Sequence, residues 1–285
     1  MIDLLDVRYV RLGTRNLDTA IDFATRVVGL QLVRREHGAA YFRSDDRDHT
    51  LVYFEGDPRD HTLAFEVARG DILDAAAAEL EAAGYPVVEG SADECELRRV
   101  KRFIRFKDPT GNAIEAVWRP QASGRRYFAS RDAGITGFSH VGLCSTDPAR
   151  DEAFWTQVCN ARVSDWIGPS PLLRIDAVHH RLALFPTDRS GIQHINHQVE
   201  SVDDIMRSWY FLQEQGVNVV FGPGRHPTSG ARFLYFEGPD GMVFEYSCGV
   251  SSITDEAGHR PRQFPLAPDG FCMWGAKPNI REFKS

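Results

Sequence analysis

Two kinds of hydrophobic pattern run along the chain in a fixed order, and the order occurs twice. Phe106-Lys107-Asp108-Pro109-Thr110-Gly111-Asn112-Ala113-Ile114-Glu115 has the same plan as Phe236-Glu237-Gly238-Pro239-Asp240-Gly241-Met242-Val243-Phe244-Glu245. Each carries an aromatic strand end into a Pro/Gly turn and then an alternating strand that ends on Glu, which predicts a β-hairpin. Helical spacing appears from Asp71 to Gly84, with Ile72, Leu73, Ala76 and Leu80 apolar and Gly84 just past the end. Its counterpart runs from Asp204 to Gly216. Short β-rich runs follow both, at Pro86-Val87-Val88 and Val217-Asn218-Val219-Val220. Earlier in each half, Asn16 opens a helix that reaches close to Gly29, and Asp147-Pro148 opens one through Gln157. Pro148 suits the first helical position, where its missing N–H costs nothing.

Each half therefore reads as strand, helix and several strands, then the same again. This predicts an α+β fold built by duplication of one compact unit; the repeat is too long for a solenoid. The expected organisation is an N-terminal domain over 1–120, a Ser/Gly/Arg-rich linker over 121–133 and a C-terminal domain over 134–250. A Pro-rich tail over 251–285 carries Phe271, Cys272, Met273 and Trp274. That tail either folds over a pocket mouth or packs on the other half or a neighbouring subunit.

Composition narrows the class. Of 285 residues, 42% are hydrophobic and 26% charged, as in folded globular proteins rather than disordered chains. Lys plus Arg number 33 against 40 acidic residues, and the net charge of −7 argues against nucleic acid as a partner. No apolar run approaches the ~20 residues of a membrane span, and the N-terminus lacks a signal-peptide layout. The expectation is a cytoplasmic protein with no membrane partner. The five cysteines are odd in number and contain no C-x-x-C, so they read as reduced thiols.

Candidate chemistry lies in the second half, which holds seven of the ten histidines. In the strand Gly137–Leu143, side-chain alternation puts Phe138, His140 and Gly142 on one face. In the strand Gln193–Val199, His194 takes the place in its module that His140 takes in its own. Val243, Glu245 and Ser247 share a face of the last strand. If these strands adjoin, His140, His194 and Glu245 project into a common interior and leave the remaining positions of a metal open. Two imidazoles and a carboxylate suit Fe(II) handling O2. The same ligand types serve catalytic zinc, although no H-E-x-x-H helix is present.

From these residues the sequence resembles the type I extradiol catechol dioxygenases of the vicinal oxygen chelate superfamily, of the 2,3-dihydroxybiphenyl dioxygenase kind. The resemblance extends to about residue 250 and is most specific between His140 and Glu245. It implies two domains, each of two βαβββ modules with sheets curled around a cavity. It also implies metal ligands at His140, His194 and Glu245, a proton-handling His180 near the O2 position, and substrate contacts from His226 and Tyr235. The implied cofactor is Fe(II), with Mn(II) as the other candidate, and the implied partners are a catechol and O2. The implied reaction opens a substituted catechol, biphenyl-diol-like or cumate-diol-like, beside its two hydroxyls. An assembly of identical subunits (a homo-oligomer) is common in that family.

The first half departs from the ligand pattern. Arg11 reads as the counterpart of His140, with His61 or Thr62 near that of His194, while Glu115 matches Glu245. This half is therefore expected to be metal-free, with Glu115 hydrogen-bonded or paired with Arg11. His197 faces away from His194 and reads as a surface or outer histidine. Arg174 is a candidate anion contact in a pocket lined by Asp165 to Ile175. A non-catalytic aromatic or drug-binding module of the bleomycin-resistance type and a glyoxalase remain the rival readings.

Overall fold

In the computed structural model, which describes residues 1–283, the duplicated pattern becomes two sheets. The first holds β1 (Leu4–Thr14), β2 (Gln31–Glu36), β3 (Ala39–Arg43), β4 (Leu51–Glu55), β5 (His61–Val67), β6 (Val88–Glu89), β7 (Arg102–Lys107) and β8 (Ala113–Trp118). Their spatial order is β2-β3-β4-β1-β5-β8-β7-β6. The second holds β9 (Ile135–Ser145), β10 (Arg162–Ile167), β11 (Ser170–Arg174), β12 (Leu182–Pro186), β13 (Ile192–Val199), β14 (Val219–Arg225), β15 (Arg232–Glu237), β16 (Val243–Cys248) and β17 (Arg262–Phe264). These run β14-β15-β16-β13-β9-β12-β11-β10-β17. Each module pairs its first and last strands in parallel (β1 with β4, β5 with β8, β9 with β12, β13 with β16), and two modules join antiparallel through their first strands. The α+β class and the βαβββ repeat expected from the sequence are both present.

The module helices form where their caps are written. Asn16 accepts a hydrogen bond from the Thr19 N–H and starts α1 (Leu17–Asp22), which continues as a π-helical turn to Val27 before Gly29 at φ +89°. The helix α2 (Gly70–Ala82) ends before Gly84, which takes the left-handed conformation that favours glycine. One helix escaped the sequence pattern: α3 (Ala92–Arg98), held by a reciprocal capping box between Ser91 and Glu94. In the second half, Asp147 caps α4 (Pro148–Gln157) and Ser201 caps α5 (Val202–Glu214). The helix-side core, including Val7, Phe65, Leu143, Trp155 and Phe244, runs through both halves. A second core sits on the other face of the β9 sheet and includes Phe221, Phe233 and Tyr235. The tail closes it with Phe271, in the short helix α6 (Pro268–Phe271), and with Ile280 and Phe283.

His197 corrects an expectation. It does face away from His194, but it is buried, with its ring between Phe138 and Phe244 and no hydrogen bond on either nitrogen. The strand is central and both of its faces are covered, so the far side is core rather than surface. Burial lowers its pKa to about 4, against a usual ~6.5. Unfolding would let it take up a proton, so its neutral burial stabilises the fold above pH ~6.5, and that contribution is lost as pH falls from ~6.5 to about 4. The share at stake is at most on the order of 3 kcal/mol. His197→Phe should therefore show a smaller loss of urea stability between pH 7 and pH 5 than the parent. An identical loss in both proteins would contradict this.

Candidate metal centre

Six neighbouring strands of the second sheet each bring one of the expected side chains to the same place. In spatial order they are His226 just after β14, Tyr235 on β15, Glu245 on β16, His194 on β13, His140 on β9 and His180 just before β12. Register explains the convergence: Tyr235 lies opposite Glu245, His194 opposite Val243, and Gly142 opposite His194. One ligand atom from each of His140, His194 and Glu245 can be chosen so that all three lie within 4.8 Å of one another. The two Nε2 atoms are 3.2 Å apart, and the same Glu245 oxygen is 3.0 Å from His140 Nε2 and 3.5 Å from His194 Nε2. All three residues are buried.

Local chemistry aims these atoms. Gln193 Oε1 accepts the Nδ1–H of His194, which leaves the Nε2 lone pair of that ring directed at the centre. The neighbouring glycine is required for that ring to fit: a Cβ on Gly142 would overlap His194 Nδ1 and press on Gln193 Oε1. Burial holds His194 down to about 3, so the ring is neutral. Burial alone would raise the Glu245 carboxyl, but His140, the nearest imidazole, holds it well below its usual range. Yet neither buried Glu245 oxygen receives a hydrogen bond of good geometry. A cluster of two imidazole nitrogens and an unsatisfied carboxylate fits a divalent cation, which would satisfy all three.

The remaining residues ring this centre. The His180 ring lies 4.3 Å from that of His140, and burial depresses its pKa well below the usual value. His226 Nδ1–H donates to the Phe271 carbonyl at 2.7 Å, so its Nε2 can accept from the Tyr235 hydroxyl at 3.2 Å. Burial, then Glu245, raises the Tyr235 hydroxyl well above its usual pKa, so it stays protonated. A pocket over the centre is walled by Ile167, Leu172, Ala183 and Phe185, with Phe271 and Phe283 of the tail completing it. His180, His194, His226 and Tyr235 line it too, and among its described lining residues there is no Lys, Arg, Asp or Glu. Arg174 does not reach this pocket; it is spent on Glu256, the Val163 carbonyl and Ser164, so it is no anion contact for a ligand there. A wider cavity, about 500 Å³, lies between the two halves, and among the described residues it brings together no comparable ligand set. Its Arg59, Arg281 and Arg189 are paired with Asp57, Asp188 and Glu282.

The first sheet holds an altered copy of the same geometry, and it corrects two more expectations. Val10 pairs with Leu51 as Val141 pairs with Leu182, so Tyr9, not Arg11, stands where His140 stands. Thr62 pairs with Ala113 as His194 pairs with Val243, so of the two candidates left open it is Thr62 that stands in the place of His194. His49 takes the place of His180, with its ring 4.9 Å from that of Tyr9. Glu115 pairs with Arg98 rather than Arg11: the guanidinium makes contacts of 2.7 and 2.9 Å to the carboxylate, which also accepts from Tyr9 at 2.7 Å. Arg11 instead lies over the Phe54 ring. A fixed cation from α3 thus meets the buried carboxylate in the half without a metal-ligand set.

The sequence matches the family described as "Glyoxalase/Bleomycin resistance protein/Dioxygenase superfamily" over residues 7–116 and 137–246, one stretch for each half. The chain belongs to this superfamily. Within it, the chain is 27% identical over 278 residues to an iron-dependent extradiol dioxygenase of Rhodococcus jostii (strain RHA1), covering 90% of this chain and 93% of that protein. It is 25% identical to a biphenyl-2,3-diol 1,2-dioxygenase of Sphingomonas paucimobilis, covering 88% and 90%. A solved Mn(II)-bound glyoxalase from Novosphingobium aromaticivorans superposes with a TM-score of 0.88 at 27% identity, covering 100% of this chain and 95% of that one. The resemblance to extradiol dioxygenases, an oxidoreductase class, is borne out. No helix among the described residues is long and apolar enough to cross a membrane.

Proposed function

We propose that this superfamily member is an extradiol ring-cleavage dioxygenase. It holds Fe(II) on His140, His194 and Glu245 and opens an apolar-substituted catechol with O2, in the cytoplasm and as a homo-oligomer. The observation that carries this reading is the buried, unsatisfied Glu245 carboxylate facing two Nε2 atoms, beneath a narrow pocket walled by aromatic and aliphatic side chains. Three protein ligands leave positions for both a chelating diol and a second reactant. Mn(II) is accepted by the same donor types. A divalent ion held there acidifies a chelating diol and brings it together with O2.

The protein residues supply the rest. Tyr235 and His226 stand where they can hydrogen-bond the substrate oxygens and set which hydroxyl is ionised. His180, buried and neutral, can take a substrate proton on its pocket-facing nitrogen and return it when the O–O bond breaks. The aromatic and aliphatic wall keeps bulk water from this exchange. Since no described charged side chain lines the pocket, a carboxylate on the ring would be buried unpaired, which is costly.

Oxygen uptake with a panel of catechols tests the reading. Biphenyl-2,3-diol or an alkyl catechol should be turned into a yellow product with one O2 consumed per ring, and with kcat/KM at least ~100-fold above that for a carboxylated catechol. The likeness to a Mn(II)-bound glyoxalase supports a second reading, an isomerase on the same three ligands. Turnover of an α-ketoaldehyde–thiol adduct without oxygen uptake would favour it.

A further inference from the structure

The expected proton-handling histidine is itself held by a buried relay that reaches the tail. His179 and His180 are adjacent and point to opposite sides. His180 turns to the metal cluster, and His179 turns to β10, where its Nε2 lies 2.9 Å from Asp165 Oδ2. The two imidazoles face each other through Nδ1 at 3.1 Å. Asp165 is fully buried and His179 nearly so. Arg262 of β17 clamps the carboxylate: its backbone N–H donates to Oδ1 at 2.7 Å and its Nη2 to Oδ2 at 2.6 Å. The same guanidinium donates to the Thr228 carbonyl.

We infer that Asp165 and His179 are positioning residues that fix His180 as the Nδ1–H tautomer, with Arg262 as the latch that fastens the relay to the tail. This rests on the reading of His180 as the proton carrier. The tautomer follows from donor counting. An ionised carboxylate only accepts, so the proton of neutral His179 sits on Nε2 and its Nδ1 can only accept. His180 must then donate from Nδ1, which leaves its Nε2 as a bare lone pair; no described residue hydrogen-bonds that atom. When a catechol O–H breaks, its proton forms the Nε2–H bond of His180. The resulting imidazolium keeps its Nδ1–H on His179, whose Nε2–H stays on Asp165. When the O–O bond breaks, the Nε2–H bond breaks in turn and the proton passes to the oxygen. No other reactant is needed beyond those of the ring cleavage.

Asp165→Asn tests this, because an amide can donate to His179 Nε2 and so reverse the relay. His179 would carry its proton on Nδ1, and His180 would be driven to the Nε2–H form, which cannot accept. Two readouts apply. Long-range ¹⁵N–¹H NMR of the full chain loaded with diamagnetic Zn(II) should show Nδ1–H on His180 in the parent and Nε2–H in the variant. Turnover with the native metal should show kcat reduced on the order of 10²–10⁴-fold with KM for the catechol and metal content unchanged. His179→Phe gives a second route if the first variant folds poorly, with His180 losing its single tautomer. An Nε2–H tautomer in the parent, or one that Asp165→Asn leaves unaltered, overturns the relay. So does a changed tautomer with unchanged kcat when His180→Ala is inactive. An active His180→Ala instead removes the proton-carrier reading, while the NMR result still decides the tautomer.

Discussion

Replacing His180 with alanine is expected to lower kcat on the order of 10²–10⁴-fold, the usual range for a positioned general acid–base group. Metal content should not move, because His180 belongs to no close ligand set: the three convergent atoms come from His140, His194 and Glu245. Affinity for the catechol should change little, since the alanine removes one ring from a wall that keeps Phe185, Phe271 and Phe283. The expected pattern is thus a loss in kcat with KM nearly constant, measured by oxygen uptake. A rise in KM alone would mean that the ring serves binding. Full activity would assign proton handling to another group.

Arg98→Ala is expected to be the most destabilising change in the first half, by ~3–5 kcal/mol. The guanidinium and Glu115 are both buried and make a bidentate contact, so removing one partner leaves a buried carboxylate with only the Tyr9 hydroxyl. The cost is the uncompensated charge rather than the worth of the pair, so a second change that removes it should recover much of the loss. Arg98→Met with Glu115→Gln should be markedly more stable to urea than Arg98→Ala alone. If the double variant is no better, the damage comes from packing against Phe103, over whose ring Arg98 lies.

These two sites show what the chain makes legible. The second-half cluster could be read because its residues sit on strands whose alternation fixes their face, and because the module repeat says which strands are equivalent. The first half could not be read as closely. Tyr9 and Arg11 lie two residues apart on one strand and so share its face, and a slip of two leaves the alternation intact. Only the hydrogen-bond register, Val10 with Leu51 and Thr62 with Ala113, separates them. Arg98 was hidden for another reason: it comes from α3, a helix the pattern did not predict, and no spacing links it to Glu115. His197 was placed on the correct side of β13, but alternation says nothing of what covers that side. Asp165 and Arg262 come from β10 and from a tail outside the matched stretches, so nothing in the linear order brings them to His179.

The central claim is tested most directly by anaerobic Fe(II) binding to the full chain and to Glu245→Ala. One ion per chain is expected for the parent, and a loss of at least ~100-fold in affinity for the variant, because the removed carboxylate is the sole anionic member of the three-residue cluster. A parent protein that takes up no iron, or a variant that binds it as tightly as the parent, would contradict the account.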